Sequence, residues 1–266
     1  MKILRLGSSE DAPGRLPPEF MREHLIQQGL ERELGEPIEI ATQRAWPNQR
    51  LPEMVRRWMD EEEPDMVTMH VTGYWFMYQS VTRKLRRRWG KFGQTVGQAA
   101  HDSADVPWLA YNPVFRFGRR VVTRVIGGET NFTPDEVVQR VTDSMKEIIR
   151  HEGVILLVWG PGGRSRHGDH SRKAAAAMEA RRLSVTARMR EICAQHRVAF
   201  IAREEPMWKL GIAPKKGRDG LHADEEGAVV DAAREVAQIV AEIRRVRGSA
   251  PVVAAPPSEA RVILSR

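Results

Sequence analysis

The sequence predicts an α/β protein: three layers, α/β/α, around a mostly parallel five-stranded sheet, with an insertion after the third strand. Three observations carry this. Short apolar runs alternate with longer stretches of helical periodicity, the order that right-handed crossovers require. The run VILLVW at 154–159 is apolar throughout, the mark of a strand covered on both faces. And 266 residues, 41% hydrophobic and 29% charged, can bury one substantial core.

Ile3, Leu4 and Leu6 form the first apolar run, which closes in Gly7-Ser8-Ser9. A glycine and two small hydroxyl residues make a tight turn past a strand's carboxyl end, where open α/β sheets place their reactive groups. After a Pro/Gly-rich link, Phe20, Leu25, Ile26, Leu30 and Leu34 line one stripe of a helix over 19–34, and Gly35 stops it. Residues 37–42 read as the second strand. A loop with Trp46-Pro47-Asn48 leads to a helix over 51–62, with Pro52 in its tolerant first turn. In the third strand, 65–72, Val67, Met69 and Val71 face one way and Thr68, His70 and Thr72 the other, so that His70 reads as a hydrogen-bonded core histidine. Gly73-Tyr74-Trp75-Phe76 leaves that strand at the edge that carries Ser9.

Residues 77–132 read as an insertion or lid, with a basic helix at 83–88, a candidate strand at 106–112 and mixed aromatics and arginines beyond. Thr133-Pro134-Asp135-Glu136 opens a helix with an N-cap, a proline and two acids, running to 151. The buried strand 154–159, a loop at 160–170 rich in Gly, Arg and His, a helix over 173–195 and a strand over 197–202 follow. A loop leads to Asp219, and the last helix spans 224–246. One domain is expected over 1–247, with an Ala/Pro-rich tail at 248–266.

A serine on the first turn needs a base to take its proton. Of the eight histidines, His222 has the right surroundings. Asp219 stands three residues before it on a Gly-containing loop, close enough to fix the ring's tautomer. By itself His222 reads as readily as a loop histidine beside a helix N-cap. The two ends together resemble the SGNH or GDSL-type hydrolases, whose first block is a strand ending Gly-Asp-Ser or Gly-Ser-Ser and whose last is Asp-x-x-His before a helix. The resemblance implies a flavodoxin-like sheet, with Ser9 as nucleophile, His222 as base and Asp219 as orienting acid, in an esterase, deacylase or acyltransferase. It covers roughly residues 1–245, apart from the insertion.

The chain departs from that pattern in the oxyanion blocks. The family supplies the serine's own amide, a glycine amide after strand two and an asparagine after strand three. Residues 41–50 contain no glycine, and Tyr74 or Trp75 stands at the asparagine position. The candidate donors are therefore Ser9, Asn48, and the backbone amides of Gly73 and Tyr74. The same departure leaves a second reading, a catalytically weakened binding protein on this fold that recognises an anionic ligand or a protein partner.

Net charge of +7 and a pI near 9.9 favour an anionic substrate, with Tyr74, Trp75 and Arg164 as its pocket. Gly160-Pro161-Gly162-Gly163 lacks the Gly-Lys-Ser/Thr ending of a phosphate loop. His167-x-Asp169-His170 matches no strong zinc spacing, so no metal and no cofactor is expected. The basic run at 83–88 reads as a solvated helix face before a nucleic-acid contact. A lone Cys193, an N-terminus broken by Arg5 and the lack of a 20-residue apolar stretch point to a cytoplasmic chain without a membrane span.

Overall fold

A computed structural model describes residues 1–7, 16–77, 129–162, 172–203 and 224–248. Five strands form one parallel sheet in the order β2-β1-β3-β4-β5: β1 Lys2–Gly7, β2 Glu39–Arg44, β3 Met66–His70, β4 Ile155–Trp159 and β5 Ala199–Ile201. Between them run α1 Arg22–Leu34, α2 Leu51–Glu62, α3 Pro134–Ile149, α4 Arg172–Gln195 and, after β5, α5 Glu225–Val246. Helices α1 and α5 pack on one face of the sheet; α2, α3 and α4 cover the other. The expected three-layer architecture is the one observed.

Strand alternation decides which side chain meets which layer. Leu4 and Leu6 of β1, Val67 and Met69 of β3, and Leu156 and Val158 of β4 join the core beneath α2, α3 and α4. Ile3, Met66, Leu157 and Trp159 join the core beneath α1 and α5. The alternation therefore also sends Arg5 and His70 to the α1/α5 side, where both are buried. Between these two cores the central strands are apolar nearly throughout, as a doubly covered parallel sheet requires.

The elements start and stop where local chemistry says they should. Thr133 and Glu136 form a complete capping box at α3, with Pro134 at its first position. Asp224 caps α5 by accepting from the Gly227 N–H at 3.0 Å. Gly35 ends α1 in the left-handed conformation, φ +70°. Boundaries differ from the sequence reading by up to three residues, and two of the shifts have a plain cause. The first helix begins at Arg22, because Pro17 and Pro18 lead into a separate 3₁₀ turn, Pro18–Phe20. The second strand is displaced to Glu39–Arg44, because Lys2 of β1 pairs with Glu39 and the register carries the pairing to Arg44 opposite Gly7. The candidate strand at 106–112, the basic run at 83–88, most of the 77–132 insertion and the tail beyond 248 lie outside the described residues. Among the described residues no helix is long and apolar enough to cross a membrane. Cys193 is buried in the α4 side of the core, where burial pushes its thiol up to about 12.

Helices α1 and α5 approach closely at Gly29, where an added Cβ would lie 2.6 Å from Val236 Cγ2. Gly29→Ala gains about 1 kcal/mol of helix propensity but loses roughly 1–3 kcal/mol to overpacking. Urea unfolding should show net destabilisation, and Val236→Ala in the same chain should relieve it.

Candidate active site

The carboxyl ends of the strands set the candidate site, because in parallel sheets of this kind the loops there converge at the switch in strand order. β1 is that switch, with β2 on one side and β3 on the other. Gly7 closes β1, and its carbonyl accepts from the Ala45 N–H at 3.2 Å, binding the loop after β2 to the end of β1. The loop after β3 turns tightly over Gly73–Trp75. Met77 N–H and Phe76 N–H both donate to the Gly73 carbonyl, at 2.8 and 3.3 Å. A side chain on Gly73 would collide with the Met77 sulfur and would have to displace that side chain. Arg181 of α4 donates to the Met77 carbonyl at 3.0 Å, with burial pushing its guanidinium below the usual range.

The candidate oxyanion donors differ in their engagements. Tyr74 N–H donates to Thr72 Oγ1 at 3.4 Å. Asn48 N–H donates to the Trp46 carbonyl at 2.7 Å, and Asn48 Oδ1 accepts from the Arg50 N–H at 2.8 Å, which turns the amide's carbonyl end back onto the start of α2. Gly73 N–H has no acceptor among the described residues. Of the two aromatics placed in the pocket by sequence, Tyr74 is half exposed and leans on Trp46, ring centroids 6.2 Å apart. Trp75 is 2% exposed and belongs to the core beneath α2, α3 and α4, because the 3₁₀ turn sends it inward. Trp46 also meets Phe132 edge-on at 5.4 Å. Arg140 of α3 lies 5.1 Å over the Phe132 ring while donating to the Pro47 carbonyl at 2.6 Å. Asn131 Nδ2 donates to the Tyr74 carbonyl at 3.2 Å. An aromatic corner thus braces the loops after β2 and β3 together.

Beneath the edge, on the α1/α5 side, sits a buried charged hub. Glu235 of α5, 1% exposed, accepts Arg5 Nη2 at 2.9 Å and Arg203 Nη2 at 3.0 Å. Arg22 Nη2 lies 3.0 Å from the same carboxylate and 3.2 Å from Asp231. His70 Nδ1 is 4.0 Å from Glu235, and its ring stacks on Trp159 at 5.1 Å and 12°. The core placement of His70 expected from strand alternation is what the fold contains. Arg203 covers the Trp159 ring at 5.0 Å. Burial alone would raise the Glu235 pKa, but Arg22, Arg5, His70 and Arg203 together hold it well below 4.5.

No protein-family model and no curated protein sequence matches the chain. Solved structures do. TesA superposes with a TM-score of 0.51 at 14% identity, over 90% of this chain and 99% of TesA. The acetyl xylan esterase AlAXEase gives 0.52 at 13%, over 90% and 100%. Axe2 from Geobacillus stearothermophilus, an acetyl-xylooligosaccharide esterase, gives 0.51 at 12%, over 90% and 93%. The chain has the SGNH/GDSL-hydrolase fold.

Within the SGNH fold, Ser9, Asp219, His222 and Arg164 lie outside the described residues. Their chain neighbours are described. Gly7 stands two positions before Ser9 at the end of β1, and Asp224 two positions after His222 at the head of α5. Sequence reasoning missed Arg203, Glu235 and Trp159 at this edge. An arginine two residues past a strand and a buried glutamate in a last helix carry no local signature.

Glu235 supplies the testable consequence. Its carboxyl titrates below its unfolded value, so its contribution is complete above about pH 4.5 and is lost as pH falls through the folded value. Glu235→Gln should cost about 3–5 kcal/mol at pH 7, since it strands buried guanidiniums. The gap between variant and wild type should narrow in urea unfolding as the pH is lowered below 4.5.

Proposed function

We propose that this chain is a serine-dependent acyl hydrolase, an esterase or deacylase. Ser9 Oγ attacks the ester carbonyl while His222 takes its proton, with Asp219 orienting the imidazole and stabilising its charged form. The carbonyl–oxygen bond to the leaving alcohol breaks, and His222 returns the proton to that oxygen. Water then attacks the acyl-serine, again through His222, and releases the acid. Gly73 N–H and the Asn48 amide are the donors assigned to the oxyanion beside the serine's own amide. Removal of one such donor typically costs 10²–10³ in rate.

One observation carries this reading. The chain leaves β1 at Gly7 on the carboxyl edge of the switch strand, and α5, headed by Asp224, is tied to that same strand by the Arg5–Glu235 pair. The two motif blocks flank these anchors in the order the SGNH fold uses. Two of the similar structures are acetylxylan esterases, which makes short acyl esters, acetylated sugars among them, the first substrates to try. An acyl acceptor other than water would make the same machinery an acyltransferase.

A second reading is favoured by the residue after strand three. Tyr74 offers no side-chain amide where the family has asparagine, and a chain with too weak an oxyanion hole would bind a ligand without turning it over. A neutral fluorophosphonate decides between them. The hydrolase reading expects covalent labelling of wild type at Ser9, no labelling of Ser9→Ala, and acid release from short acyl esters by wild type alone. Folded wild type that takes no label and hydrolyses no ester leaves the binding reading.

A further inference from the structure

We propose that Arg203 and Trp159 form an oxyanion subsite beside the candidate active site, which receives a carboxylate or phosphate group on the substrate. The inference rests on reading the carboxyl edge as the active site, and it names the substrate class that reading leaves open.

Trp159 is the last residue of β4, pairs with His70 at the end of β3, and is 2% exposed. Its carbonyl accepts from the Val71 N–H at 2.9 Å, which places it directly beside the loop that carries Gly73. Its indole Nε1–H is buried and has no hydrogen-bond acceptor. A buried donor left in that state keeps the penalty of its lost hydration, which an arriving acceptor would recover.

Arg203 lies two residues past β5, with its guanidinium 5.0 Å over that same indole ring. Its side chain is 29% exposed. Glu235 holds it through one Nη2 contact at 3.0 Å, and the rest of the guanidinium fork meets no acceptor among the described residues. The carboxylate that holds it is shared with Arg5 and Arg22, so it offsets only part of the Arg203 charge.

The arrangement is a cationic fork fixed in place before any ligand arrives. A stacked ring sets its plane, a buried carboxylate sets its direction, and solvent reaches what remains. Pre-orientation of this kind lowers the ordering cost of binding, and a planar guanidinium suits carboxylate and phosphate alike. Strands lie ~4.8 Å apart, so β4 ends about 10 Å from β1, within the span of a small ester whose acyl or alcohol part carries the charge. Net charge of +7 favours the approach of such a substrate.

The test uses the full chain, with inorganic phosphate and succinate as probes at constant ionic strength. Two readouts are taken: the thermal midpoint, and the rate at which the neutral fluorophosphonate labels Ser9. In wild type, one or both anions should raise the midpoint and slow labelling. Arg203→Gln should weaken the apparent affinity at least tenfold, Arg203→Lys should fall between, and Arg150→Gln, at an exposed distant arginine, should match wild type. Trp159→Phe keeps the ring and removes the N–H; it should lose affinity several-fold, and it serves if Arg203→Gln does not fold. Phosphate acting alone marks a phosphate ester, succinate alone a carboxylate. Absence of any anion effect on wild type, or Arg203→Gln responding like wild type, overturns the subsite. Labelling of Ser9 with no Arg203-dependent anion effect keeps the hydrolase and rejects the subsite. An Arg203-dependent midpoint shift without labelling keeps the subsite and rejects the hydrolase.

Discussion

The constraint on which the edge of this sheet depends is the buried carboxylate of Glu235. Three guanidiniums reach it, from β1, from the first residue of α1 and from the segment past β5. Two of these, Arg5 and Arg22, are almost wholly buried. Charges taken out of water in this way are costly unless each is paired, so the arrangement tolerates little slack. Moving α5 by a turn, or β5 by one residue, would strand a charge in the interior. Apolar packing beneath α1 and α5 holds the layer to the sheet, while the hub fixes where along the sheet it sits.

That fixing matters because the candidate site is assembled from chain ends rather than from one rigid element. In the chain, Ser9 follows β1, His222 precedes α5, and the candidate oxyanion loops follow β2 and β3. The loops after β2 and β3 are braced to the frame: Ala45 to the Gly7 carbonyl, Arg140 to Pro47, Arg181 to Met77 and Asn131 to Tyr74. Two of these braces are arginines of α3 and α4, which hold the loops from one face of the sheet. Such bracing lets a loop hold its groups in a fixed place on a rigid frame.

Most of the frame was legible in the sequence because its signals are local. The alternation in 65–72 placed His70 inside. Thr133-Pro134-Asp135-Glu136 announced α3 and its N-cap, and the unbroken run at 154–159 announced a strand covered on both faces. Of the shifted boundaries, one has a local cause, the prolines at 17 and 18 that make a turn of their own, and one a tertiary cause, the pairing with β1 that sets the bounds of β2. The hub was not legible. Arg5 read only as a charge inside an apolar run, and its partner lies 230 positions away. Nothing in a helix pattern distinguishes a glutamate that will be buried from one that will face water. Trp75, which the sequence reads as a pocket residue, lies in the core for a related reason: in a 3₁₀ turn successive residues point about 120° apart, so neighbours in sequence do not share a surface.

The missing asparagine after strand three is best understood through the turn that replaces it. A side-chain amide can be carried by many backbone conformations, whereas a backbone donor must be aimed by the chain itself. Here the Gly73 carbonyl is occupied by the N–H groups of Phe76 and Met77, Tyr74 N–H is given to Thr72, and the Met77 sulfur packs where a side chain on Gly73 would be. These contacts leave the Gly73 N–H as the turn's one uncommitted donor among the described residues. They also fix its direction, since the turn is closed on itself and tied to α4 through Arg181. A rigid peptide N–H reorganises less than a rotatable side chain as charge develops on the substrate, and that pre-organisation is where oxyanion stabilisation gains most of its strength. On the proposed hydrolase reading, the departure in sequence would exchange one kind of donor for another without requiring the chemistry at this edge to change.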